Sequence, residues 1–132
     1  MPRPLILASS SPGKLREFNA FFQACASVWE LRLKPAELEV EETGATFAEN
    51  ALLKAITVAK ALGEWTIADD SGLSVKALKG APGIHSARYA PTDAARIARL
   101  LKEMDGIPNL AAQGVEHPRE ATFHCAVALV NP

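Results

Sequence analysis

The chain has 132 residues, 48% of them hydrophobic, with 14 basic and 15 acidic side chains for a net charge of -1. That is enough for one domain with its own core and no staple, and it excludes the broad basic footprint that duplex nucleic acid requires. No apolar run approaches the ~20 residues of a membrane span, and Leu5 to Ala8 is too short for a leader, so neither nucleic acid nor membrane is an expected partner and a reducing cytoplasm is the expected compartment.

The first expected element is a strand over 4–9, running into Ser9-Ser10-Ser11-Pro12-Gly13-Lys14. Ser11 suits the N-cap of a helix over 12–25 and Pro12 its first position. The free N–H groups of that turn, the serine hydroxyls and Lys14 then form an anion site suited to a phosphate chain; the plain alternative is a capped helix with a surface lysine. The Walker spacing G-x-x-x-x-G-K-[ST] is absent.

A strand over 28–34 is followed by Glu41-Glu42-Thr43-Gly44 and a helix over 46–62, which Thr46 and Glu49 open as a capping box. At 100° per residue, Phe47, Ala48, Ala51, Leu52, Ala55, Ile56, Val58, Ala59 and Leu62 share an apolar face. Asn50 and Lys54 lie one turn apart at its edge, where a packed stem still lets the head reach a pocket, while Glu49 and Lys60 read as solvated. Glu41 and Glu42 are adjacent like charges in a loop, a repulsion that a bound cation would relieve.

Residues 65–69 read as a strand ending in Asp69-Asp70-Ser71-Gly72, with a short strand near 73–77 beyond. Strand alternation points Asp69 and Asp70 to opposite sides. Read alone, D-D-S-G is a strand-end turn, because Asp, Ser and Gly are what turns use. Gly80-Ala81-Pro82-Gly83 describes a tight loop, His85 beyond it reads as a surface histidine, and Arg88 suits either substrate or a carboxylate. A helix over 92–105 and a strand over 119–130 complete an α/β order whose last two strand segments can pair antiparallel.

Cys25, at the end of the first helix, and Cys125, on one strand face with Phe123, Val127 and Leu129, read as buried thiols. Neither has a His or Cys neighbour at metal-ligand spacing. The anion cradle, the loop glutamates and the strand aspartates all fall at strand termini. Carboxylate oxygens without His or Cys select Mg²⁺ or Mn²⁺ over zinc, and phosphate with magnesium implies a nucleotide-like substrate.

These residues resemble the inosine triphosphate pyrophosphatase family, also called XTP/dITP diphosphatases. The matching stretches are L-A-S-S-S-P-G-K-L-R-E at 7–17, E-E-T-G-A-T-F-A-E-N-A-L-L-K-A at 41–55, A-D-D-S-G-L-S-V at 68–75, G-A-P-G-I-H-S-A-R-Y at 80–89 and A-T-F-H-C at 121–125. The resemblance implies a Mg²⁺-dependent homodimer that hydrolyses non-standard purine triphosphates (ITP, dITP, XTP) to monophosphate and pyrophosphate. It implies an α/β fold with a long mixed sheet flanked by helices and a cleft between two lobes. By motif, Ser9, Ser10, Ser11, Pro12, Gly13, Lys14, Lys54 and Ser71 would contact substrate. Glu41 and Asp70 would bind magnesium, with Asp70 also taking the proton from water, and Asp69 and Glu42 would hold the loops.

Ser11 stands where the family's first motif, T/S-x-N-x-x-K, has asparagine, which removes an amide that both donates and accepts. The opening L-A-S-S-S-P also resembles the Maf nucleotide pyrophosphatases, which lack the E-E-T-G-x-T-F-x-E-N and D-D-S-G-L blocks. A non-catalytic nucleotide-binding remnant is the other alternative. The F-G-[YW]-D-P segment and S-H-R motif that enclose the base in the family do not occur, so residues 1–132 are expected to form a single domain lacking the family's C-terminal segment.

Overall fold

The computed structural model describes residues 2–24, 28–107 and 119–132. Its elements are β1 (Arg3–Leu7), α1 (Pro12–Ala24), β2 (Trp29–Leu33), α2 (Phe47–Leu62), β3 (Thr66–Val75), α3 (Asp93–Asp105) and β4 (Ala121–Val130), with 3₁₀ turns at Lys76–Leu78 and Gly83–Arg88. The strands form one sheet in the order β2-β1-β3-β4, with β1 parallel to both β2 and β3. Just beyond β3, Lys76 N–H donates to Glu120 O at 3.0 Å just before β4, so the end of one strand meets the start of the other in the antiparallel sense. The sheet is therefore mixed, as expected. Two compact units divide the chain: one runs to Asp70 and includes Ala126–Pro132, and the other is Ser71–Cys125.

In the first unit, strand alternation sorts the core into two layers. Leu5, Leu7 and Leu31 meet Leu15, Phe18 and Phe22 of α1 on one face, together with Ile67 and the tilted Trp29–Trp65 pair. Ile6, Ala8 and Ala68 meet Ala55, Val58 and Leu62 of α2 on the other. The period of two thus places α1 and α2 on opposite faces of β1 and β3. It also dictates where the next residues of β3 point: Asp69 follows Ile67 toward α1, and Asp70 follows Ala68 toward α2.

The helix ends follow local chemistry. Ser11 Oγ accepts from Lys14 N–H at 3.3 Å, capping α1 with Pro12 at its first position. Thr46 Oγ1 accepts from Glu49 N–H at 3.1 Å, and Glu49 Oε2 accepts from Ala45 N–H at 2.7 Å, a capping box whose return arm lands one residue upstream of the cap. Gly63 closes α2 in the left-handed region, at φ 66°, where a side chain would be strained. Thr46→Ala should cost about 1 kcal/mol, read as a lower denaturant midpoint with an unchanged m-value.

Three expectations change. D-D-S-G is not a turn: β3 runs unbroken from Thr66 to Val75, because pairing with β4 satisfies the backbone that a turn would otherwise close, and tertiary pairing outranks turn propensity. The buried stripe of α2 is Asn50, Ala51, Ala55, Val58 and Ala59, while Ala48 and Leu52 are exposed; the stripe is rotated toward the polar edge. Cys125 is exposed rather than buried, on the face of β4 where Phe123, Val127 and Leu129 are exposed too. Cys25 lies outside the described residues.

In the second unit, Ser86 Oγ accepts from Leu73 N–H at 3.0 Å and donates to Gly83 O at 2.6 Å, fastening the 3₁₀ turn to β3. Tyr89 is buried, its hydroxyl donating to Glu103 of α3 while the Arg99 guanidinium lies 4.1 Å over its ring. His85 and Arg88 are exposed.

Candidate active site

The site begins where β1 stops. Past Leu7 the chain turns through Ser9 and Ser10 into α1, at the carboxyl end of a parallel strand, where open α/β sheets place their ligands. Ser9 Oγ accepts from Ser11 N–H at 3.1 Å and Ser11 Oγ from Lys14 N–H, so those two backbone donors are spent on the turn while both hydroxyls keep their own protons. Pro12 has none to offer. Ser10 and Gly13 keep N–H groups without a protein acceptor among the described residues, which leaves a smaller cradle than the motif alone implied.

Beside it lies a cleft of about 370 Å³ lined by Ser9, Ser10, Lys14, Lys34, Glu42 and Lys54, among others. Lys34 was not singled out from the sequence. The signal was available, because Lys34 follows the end of β2 much as the Ser9–Lys14 turn follows the end of β1.

Asp69 and Asp70 are both buried and face opposite ways, as alternation requires. Toward α1, Lys14 Nζ donates to both Asp69 oxygens, at 2.9 and 3.1 Å. Toward α2, the partly buried Lys54 ammonium is shared: it donates to Asp69 O at 2.5 Å, pairs with Glu42 Oε1 at 3.2 Å and lies 3.9 Å from Asp70 Oδ1. Asn50, 1% exposed on the turn of α2 before Lys54, accepts from Gly44 N–H through Oδ1 at 2.7 Å.

Asp70 Oδ2 is buried with no hydrogen-bond donor. Burial raises the Asp70 pKa above its ordinary value, Lys54 opposes this, Glu42 adds to it, and hydrogen bonding from Asn50 and the charge of Lys14 pull it down. The outcome is a carboxylate that is more basic than an exposed aspartate, with one oxygen held and the other unclaimed.

The structure thus brings Ser9, Ser10, Lys14 and Lys54 around one cleft, with Asp70 beside Lys54, while Ser11, Pro12 and Gly13 form the adjoining start of α1 and do not line it. Glu41 is exposed, and Glu42 is the loop carboxylate that meets Lys54. Ser71 follows Asp70 along β3, half-buried, and belongs to the second unit.

The model of the Ham1 family matches residues 5–132. The chain belongs to that family. A dITP/XTP pyrophosphatase from Nostoc sp. is 56% identical over 132 residues, all of this chain and 62% of the relative. One from Synechocystis sp. is 50% identical over 97% of this chain and 60% of its own length. Among solved structures, the Ham1 protein of Staphylococcus aureus superposes with a TM-score of 0.77 at 38% identity, covering 98% of this chain and 64% of that one. The chain therefore spans about 60% of the length of the curated Ham1 relatives it matches.

Proposed function

We propose that this chain carries the phosphate- and metal-binding part of a nucleoside triphosphate pyrophosphohydrolase, which converts dITP, XTP and ITP to the monophosphate and pyrophosphate. One observation carries the reading: Asp70 presents a buried oxygen with no donor beside a cleft that three lysines and a helix N-terminus suit to a polyphosphate. The activity of the Nostoc and Synechocystis relatives supports the substrate class. The Maf-like alternative has no such support, since the matching model is that of the Ham1 family.

A divalent cation fits these residues. Among the described residues no three His, Cys, Asp or Glu side chains converge on one metal position. Mg²⁺ does not need three: it binds through one or two carboxylates and completes its shell with water and substrate phosphate. The orphaned Asp70 oxygen is one such ligand. Glu41 is the second, because Glu42 is already neutralised by Lys54. Lys14 is paired with Asp69 and Lys54 with Glu42 and Asp70, so part of the cleft's positive charge is already balanced and a triphosphate gains from a further cation. Bound there, the metal would neutralise charge developing on the pyrophosphate leaving group.

The chain's own groups supply the rest. Ser10 and Gly13 N–H groups and Lys14 hold phosphate oxygens, with Lys54 and Ser71 as further contacts. Asp70, made more basic by burial, orients water for in-line attack at the α-phosphorus and accepts its proton as the bond to pyrophosphate breaks. The raised pKa makes it a better base than a surface aspartate, and the charge of Lys54 opposes the rise.

Incubation with dITP, XTP, ITP and ATP plus Mg²⁺ should release pyrophosphate from the first three and little from ATP, and chelation should stop it. Glu41→Gln should weaken Mn²⁺ binding where Glu42→Gln does not. Pyrophosphate absent from every substrate, also when the chain is extended to the length of its relatives, would sink the reading.

A further inference from the structure

Asn50 is the one polar side chain of α2 that is completely enclosed, and the function above gives it no part. A buried amide whose partners are missing is costly, so the fold holds it there for what it binds. Its Oδ1 accepts the Gly44 N–H at 2.7 Å. Gly44 is pressed onto it: a Cβ there would lie 2.7 Å from Asn50 Oδ1 and 2.8 Å from Glu49 Cβ, closer than real contacts allow. No side chain fits at 44 unless the loop backs away from the helix.

The neighbouring contacts belong to the same grip. Glu49 takes the Ala45 N–H, Asn50 the Gly44 N–H, and Lys54 the Glu42 carboxylate, so the loop is seized at three points by the first two turns of α2. Lys54 also donates to Asp69 O and lies 3.9 Å from Asp70 Oδ1. Asn50 thus holds the loop while Lys54, one turn further along α2, touches both the acidic loop and the acidic strand. The loop has no helix or strand of its own between Lys34 and Phe47 to fix where its carboxylates sit.

We propose that Asn50 is a positioning residue: clamped to Gly44, its buried amide sets the Glu41–Gly44 loop at a fixed distance from Asp70, so that carboxylates from both converge on one divalent cation. This rests on the cation site proposed above. It assigns the glycine of the loop to close approach rather than to a turn, and it gives the pair Asn50–Gly44 one joint function.

Titration with Mn²⁺ alone, followed by electron paramagnetic resonance, tests it without needing turnover. Asn50→Ala and Gly44→Ala should each weaken Mn²⁺ binding 10–100-fold, the range for residues that orient metal ligands, in variants whose thermal unfolding remains cooperative. Gly44→Ala lies in a loop and keeps the test open if Asn50→Ala does not fold. Because one contact is lost either way, the double variant should bind no worse than the weaker single one. Folded variants that bind Mn²⁺ as tightly as the starting protein, or effects that multiply in the double variant, would overturn the proposal and leave the cation site standing. A starting protein that binds no Mn²⁺ would overturn the cation site and the clamp with it.

Discussion

Asp70→Asn should abolish turnover and at the same time make the protein more stable at neutral pH. The loss follows from the role proposed for this carboxylate: amide replaces both a proton acceptor and an anionic ligand, and removing one electrostatic contributor of this kind costs about 10²–10³ in kcat. With two contributions lost together, the fall should reach at least that range. The gain in stability follows from the environment. Burial raises the Asp70 pKa above its ordinary 3.8 despite the opposing charge of Lys54, so between that value and the raised one the folded protein holds a proton that the unfolded chain has released.

The sign of the linkage follows directly. A carboxyl whose folded pKa is raised contributes its stability fully below the unfolded value, and that contribution is lost as pH rises through the raised one. Ionised Asp70 is thus a net cost above that window, and the neutral amide avoids it. In the presence of a chelator, Asp70→Asn should melt higher than the starting protein at pH 7, with the difference vanishing as pH falls below 3.8. Added Mg²⁺ should raise the melting temperature of the starting protein and leave that of Asp70→Asn unchanged, since only the former has the anionic oxygen to bind it. Equal melting temperatures at pH 7 without metal would mean that Asp70 is not strained. Retained turnover would remove it from the chemistry.

What local rules decide was legible in the sequence. Ser11 and Pro12 at the start of α1, Thr46 with Glu49 at the start of α2, and Lys54 at the edge of its apolar face all stand where capping chemistry and helical period put them. The facing of Asp69 and Asp70 was legible too, because strand period alone sends one toward α1 and Lys14 and the other toward α2 and Lys54. What pairing and tertiary contact decide was not. D-D-S-G has turn composition and becomes strand only through β4, which is remote in sequence. Asn50 counts as polar in any periodicity, so its burial depends on the Gly44 N–H arriving from outside the helix. The exposure of Cys125 depends on which face of β4 finds a partner, which apolar alternation does not state. Two hydroxyls of the serine run also accept N–H groups of the turn, a contact that local spacing does not state and that leaves each O–H to donate.

Lys54→Met should be the most destabilising change at the site, about 3 kcal/mol at neutral pH, in the range for removing one partner of a buried charge network. The substitution keeps the apolar stem, so packing against α2 changes little, and what disappears is the ammonium. Its side chain is 12% exposed and it serves Glu42, Asp70 and the Asp69 carbonyl at once. Without it, two carboxylates of like charge face each other with no cation, and a backbone oxygen loses its donor. The repulsion can be relieved in two ways, and each gives a measurable signature. Acid should close the gap between variant and starting protein, because a protonated Asp70 no longer needs the lysine. Mg²⁺ should close part of it at pH 7, because a divalent cation at Asp70 supplies the missing charge. A deficit that is the same at pH 4 and pH 7, and unchanged by Mg²⁺, would show that Lys54 stabilises through its stem rather than its charge. Catalysis offers a check on the same point. If Lys54 contacts phosphate as well as carboxylate, the variant's KM should rise together with a fall in kcat, whereas a lysine serving only to hold Asp70 and Glu42 would lower kcat and leave KM in place.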